Sequence, residues 1–261
     1  LLDISILKYF TPPYSDNARQ HMTILSPEIK LYFDRQEPLT PQIVLTDLYQ
    51  ITQQIDHFFG RHKTWYLTGH TRKEALEHLV FEENHPTEKA FQIFEKSYKE
   101  DFPFIGKKIW DGEDDDLACS LFYENYRRDR LGQIKVRMDL NIDEKEFQFS
   151  RLIDFITFLV LSRNAPYIMV ETNGYTLKKN QVFPDRLSAG WMIYLPFVID
   201  PALLPMAAEI LPITNDKEQL GTLIITKQGI FDGENQDDID KANDIEIQLL
   251  NLGLLPLITE V

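Results

Sequence analysis

Apolar residues recur along this chain with two periods, and the switch between them marks out the elements. Val44, Leu48, Ile51, Ile55 and Phe58 come three or four residues apart, which puts them on one face of a helix. Thr40 can cap that helix, Pro41 suits a first turn that needs no amide, and Gly60 offers a stop. A second seam, Ile239, Ala242, Ile245 and Leu249, predicts a closing helix with Asn235 or Asp237 as its cap and Gly253 with Pro256 as its terminator. Phe91, Phe94 and Tyr98 share a face after Thr87 and before Pro103, and residues 149–163 read as a buried helix. In TRKEALEHLVF, Thr71 and Glu74 have the spacing of a capping box, which predicts a helix running from there to Phe81.

The other apolar stretches are short and bounded by turn residues, as strands are. They are LDISILKYF at the start, IKLYF, TWYLTG, KKIW, LACSLFYE, IKVRMDL, PYIMVET, WMIYLPF and GTLIIT. The stretch around MAAEI reads only as a short apolar segment. Some strands follow one another directly and others are separated by helices. The expected fold class is therefore α+β, a mixed and largely antiparallel sheet with helices packed on it. No Pro/Gly-rich linker divides residues 1–261, so a single domain is expected, divisible at most into packed lobes 1–141 and 142–261.

Composition narrows the partners. There are 41 acidic against 27 basic residues, a formal charge of −14, which makes nucleic acid and anionic membrane poor partners. The longest apolar run, LIDFITFLVL, is too short to span a bilayer and is broken by Asp154. Cys119 is the only cysteine, so no intrachain disulfide forms, and a reducing, cytoplasmic setting fits best. The visible start, LLDISILKYFTPP, does not read as a signal peptide.

No nucleophile elbow, P-loop, dinucleotide fingerprint or HExxH is present, and no catalytic residue or cofactor is assigned. His70, His78 and His85 are too far apart to share one helical face as metal ligands. DEK at residues 143–145 matches only a fragment of a nuclease site. The chemistry concentrates instead in two acidic runs, Asp111, Glu113, Asp114, Asp115 and Asp116, and Asp232, Glu234, Asp237 and Asp238. Each admits three readings: a divalent-metal site, a solvated turn, or a surface for a basic protein. Neither run has the glycine and glutamate positions of a calcium loop. Carboxylates crowded on a turn repel one another, and a partner's Lys or Arg would relieve that. Trp110 and Phe231, which flank the runs, serve as apolar anchors or as core.

WYLTGHTRKEALEHLVF, IWDG, VFPDRLSAGWMIYLP, GTLIIT and DDIDKANDIEIQLLNLGLLP, in that order, resemble the immunity protein family fifty-two of bacterial polymorphic toxin systems. The likeness covers residues 64–256. Trp65, Gly69, Trp110, Gly112, Phe183, Pro184, Arg186, Gly190, Trp191, Tyr194, Pro196, Gly221, Asn243 and Pro256 match its pattern. The resemblance implies a non-enzymatic cytoplasmic antidote. Its partner would be a cognate toxin, a nuclease of restriction-endonuclease fold, delivered in many systems by type VI secretion. Most matched residues are of folding type, whereas Arg186 is a candidate to meet either an acidic loop of its own chain or an acid of the partner. The alternatives are a metal-dependent hydrolase using residues 111–116, with His70 or His78 as helpers, and an adaptor subunit with a constitutive partner.

Overall fold

The computed structural model describes residues 23–261 except 115, 126, 128 and 165, so the expected opening strand in LDISILKYF and the site candidate Asp115 lie outside the described residues. In chain order the elements are β1 (Ile24–Leu25), β2 (Glu28–Asp34), α1 (Pro41–Phe59), β3 (Tyr66–Leu67), α2 (Arg72–Ala75), β4 (Phe81–Glu82), β5 (His85–Pro86), α3 (Glu88–Asp101), β6 (Gly106–Trp110), β7 (Ser120–Glu124), β8 (Gln133–Asp139), β9 (Ile142–Asp143), α4 (Phe149–Leu161), β10 (Tyr167–Glu171), β11 (Met192–Leu195), β12 (Glu209–Thr214), β13 (Gln219–Ile225) and α5 (Gln236–Asn251), with one 3-10 turn at Pro201–Leu203.

Nine strands form one sheet in the order β12-β13-β11-β10-β2-β8-β7-β6-β3. Every pairing in it is antiparallel. The α+β expectation with a largely antiparallel sheet therefore holds. β2 lies at the centre, between β8 and β10, with β8 on one side of position 141 in the sequence and β10 on the other. Its Ile29, Leu31 and Phe33 are buried, and α1 packs against α3, α4 and β7 to bury its own apolar face.

The helix ends behave as the side chains dictate. Thr40 Oγ1 accepts from Ile43 N at 3.3 Å, Thr87 Oγ1 from Ala90 N at 3.1 Å, and Asn235 Oδ1 from Asp238 N at 3.2 Å, so Asn235 rather than Asp237 caps α5. Gly60 ends α1 in the left-handed region at φ 67°.

Two expectations need correction. The helix after Thr71 stops at Ala75 and does not reach Phe81, because Val80 N turns back to Trp65 O at 2.8 Å. Phe81 then opens a small hairpin, β4–β5, which Glu83 and Asn84 turn at positive φ. The segment around MAAEI leads into a six-residue edge strand, β12, paired along β13.

Candidate functional site

Both acidic runs lie at the same end of the sheet. Trp110, Ser120, Asp139, Glu28 and Glu171 stand opposite one another in successive strand pairs, and Val170, Met192 and Ile225 continue the row. The loop from residue 111 to 119 leaves β6 at this end, and the loop from 226 to 235 leaves β13 there. β7 and β13 are five strand positions apart, roughly 24 Å at the usual strand spacing.

The first loop is organised by turning one of its own acids inward. The side chain of Asp111 is fully out of solvent and that of Lys63 is 2 % exposed, with Nζ and Oδ2 2.5 Å apart. Asp111 Oδ1 accepts from Cys119 N at 2.9 Å and from Glu113 N at 3.3 Å, which closes the loop on itself. Lys63 Nζ also lies 4.4 Å from the centre of the Phe59 ring. Gly112 turns the chain at φ 76°, and a Cβ there would come within 2.7 Å of the Tyr66 ring. With Asp111 committed, Glu113 is half-buried and Asp114 and Asp116 are exposed. Arg72 meets Asp114 at 2.8 Å and Gly112 O at 3.0 Å.

The second loop repeats the arrangement. The side chain of Asp238, in the first turn of α5, is 3 % exposed, and its Oδ2 accepts from Lys227 Nζ at 2.7 Å and from Asp232 N at 2.9 Å. Its position at the helix N-terminus favours a negative charge. Asp232 is half-buried and accepts from Asn173 Nδ2 at 2.7 Å and from Glu234 N at 2.9 Å. Glu234 and Asp237 are exposed, and Glu234 pairs with Lys178.

Of the acids expected to meet a partner, Asp111 and Asp238 turn inward: Asp111 is held by Lys63 and two amides of its own loop, and Asp238 by Lys227 and the amide of Asp232. Arg186 also turns inward. Its Nη1 donates to Leu255 O at 2.5 Å, and its backbone bridges Leu257, so it fastens the C-terminal segment without reaching either acidic loop. Trp110, half-buried, donates from Nε1 to Leu67 O at 3.2 Å, and Phe231 is fully buried.

Other matched positions tie the same region together. Leu187 N donates to Pro256 O at 3.1 Å and Trp191 Nε1 to Lys227 O at 3.2 Å, and the Tyr175 hydroxyl lies 2.8 Å from the Asn243 side-chain amide. Gly190, at φ 46°, leaves only 2.8 Å between a would-be Cβ and Val170 O.

Beside the first loop lies a cavity of about 400 Å³, walled by Trp110, Lys108, His70, Arg72 and Ala118 among others. Cys119 borders it, but burial and then the Asp111 charge push the thiol up to about 12, so it stays protonated and unreactive at neutral pH. Among the described residues no three His, Cys, Asp or Glu side chains are grouped to hold a metal ion, and no helix is long and apolar enough to cross a membrane. The signal that sequence reasoning missed is Lys63, which sits 48 residues before the acid it neutralises.

No family model matches the chain, and no curated protein matches it. The likeness to the immunity family accordingly rests on the quoted residues alone. Among solved structures, the Pseudomonas aeruginosa T6SS protein PA0821 is similar at a TM-score of 0.45 and 10 % sequence identity, with 77 % of this chain and 68 % of that chain covered.

Proposed function

We propose that this chain is an immunity protein, which acts by binding and neutralising a cognate nuclease toxin and carries out no catalysis of its own. The observation that carries this reading is the placement of both acidic loops at one end of the sheet, with Asp114, Asp116, Glu234 and Asp237 turned to solvent. A nuclease must present Lys and Arg around its cleft to hold phosphates, and an acidic rim of that breadth can occupy such a surface. Each loop is pinned by an inward acid, so the outward acids are held in place before a partner arrives, and little ordering entropy opposes association. The resemblance of residues 64–256 to an antidote family, whose usual partners are toxins of restriction-endonuclease fold, points the same way.

The test pairs this protein with the products of the genes beside its own, each assayed for nuclease activity. The expected result is tight binding with loss of cleavage in the same tube. Reversing Asp114 and Asp116 to lysine should slow association about tenfold at low salt and much less at high salt, since screening removes steering between exposed charges. Unchanged association of the double variant at low salt would remove the rim from the mechanism. Absence of binding to any neighbouring product would sink the antidote reading itself.

A further inference from the structure

The cavity beside the first acidic loop is preformed and apolar at its base. Its mouth is lined by exposed residues, Thr68, His70, Arg72 and Lys108, and its base by buried or half-buried ones, Ala75, Trp110, Ala118, Cys119 and Ser120. The polar side chains of that base are already committed. Trp110 Nε1 donates to Leu67 O at 3.2 Å, the Ser120 hydroxyl to Asp139 Oδ2 at 2.9 Å, and the protonated Cys119 thiol lies 3.7 Å from Asn141 O. A guest therefore finds indole ring and methyl groups there, and no side-chain donor or acceptor waiting for a partner. The walls are also fixed from behind. Ala118 O accepts from Asn141 Nδ2 at 2.8 Å, and Gly69 packs so closely on α2 that a Cβ there would stand 3.0 Å from Ala75 N.

The same cavity opens among the exposed acids. Arg72, in its wall, meets Asp114 at 2.8 Å, and Ala118 follows Asp116 by two residues. We propose that this cavity receives one apolar side chain, aromatic or branched aliphatic, projecting from the basic face of the toxin, and that the Trp110 ring is the wall it packs against. A Lys or Arg guest would meet the Lys108 ammonium group at the mouth. At the base it would find no carboxylate to spare, since Asp111 and Asp139, bonded to Cys119 N and to Ser120, are already matched by Lys63 and Arg137. The basic residues of the partner belong instead around the mouth, against Asp114 and Asp116. An apolar anchor in a preformed pocket with charged residues around it is the arrangement in which a few side chains carry most of the binding energy. The acids then set how fast the partner arrives, and the pocket how long it stays. The pocket's role rests on the antidote reading and adds to it the point of attachment.

The experiment follows association and dissociation of the full chain and its nuclease partner by surface plasmon resonance, at low and at high sodium chloride. Ala118→Phe fills the cavity from one wall and Thr68→Phe from another. Either should speed dissociation by about tenfold or more at both salt concentrations and leave the association rate at low salt within about twofold. Reversing Asp114 and Asp116 should do the opposite. A urea midpoint equal to that of the unsubstituted chain separates the effect from unfolding, and T68F decides if A118F fails to fold. Unchanged dissociation of both filled variants, while the unsubstituted chain binds and inhibits, overturns the pocket and leaves the antidote reading standing. That is also the outcome if the cavity serves a small molecule. Faster dissociation confined to low salt assigns a charged guest and overturns the proposal too. Absence of binding by the unsubstituted chain to any neighbouring nuclease removes both readings together.

Discussion

Lys63 is the residue on which the first acidic loop turns. Its ammonium group and the Asp111 carboxylate are both almost wholly buried, so removing one leaves the other charged and without a partner in a medium that solvates it poorly. Lys63→Met should cost about 3–5 kcal/mol, read as a lower urea midpoint. Adding Asp111→Leu should recover only part of that loss. Asp111 Oδ1 also accepts from Cys119 N and Glu113 N, and those amides would then be buried without acceptors. Full recovery in the double variant would show that the loop does not need these hydrogen bonds. The equivalent change at Lys227, which is 34 % exposed, should cost less, about 1 kcal/mol, because water screens that pair. In sequence these two acids are indistinguishable from Asp114 or Asp237, since composition gives the density of charge and not its direction. Only the fold brings a lysine from outside the run under each cluster.

At the scale of elements, legibility followed locality. α1, α3 and α5 are legible because their caps, seams and stops lie within a few residues of one another, and α4, which has no side-chain cap, from its apolar run alone. β12 could not, because it is a half-exposed edge strand with Pro212 inside it and no clean alternation. α2 was overextended because a bridge between Tyr66 and Leu79 captures the chain that its helical pattern would have continued. The long connection from β10 to β11 shows no periodicity at all, yet it is firmly held by Glu246 of α5, which accepts from Val182 N at 2.8 Å, Ala189 N at 3.0 Å and Tyr175 hydroxyl at 3.0 Å. Burial lifts Glu246 from 4.5 to about 6 against the pull of those bonds. A folded-state value above the unfolded one means that the folded protein binds the proton more tightly. The associated stability is then fully present below pH 4.5 and lost as pH rises through about 6. That amounts to about 2 kcal/mol. Glu171, raised chiefly by burial, contributes in the same direction. Glu246→Gln should remove its own share, so the difference in unfolding free energy between the two proteins should change across this window. A difference independent of pH would mean that Glu246 does not titrate there.

Over the whole molecule, the decisive pairing is the least local. β2 joins strands from both sides of position 141, with Leu31 facing Val136 on one side and Ile168 on the other. Nothing in the periodicity of IKLYF states that it is central. Its burial on both faces is consistent with that place, but the strand order emerges only when segments more than a hundred residues apart meet. A fragment of residues 142–261 would keep α4, β10 to β13 and α5 but expose the whole edge of β10 that pairs with β2. We expect that fragment alone to aggregate or to lack a cooperative unfolding transition. Co-expression with residues 23–141 should rescue it, since β2 and β8 would be supplied in trans. A soluble, monomeric fragment that unfolds cooperatively would instead establish residues 142–261 as an independent lobe. The two acidic loops would then belong to separate units, and a rim of fixed spacing could not be the surface that meets a partner.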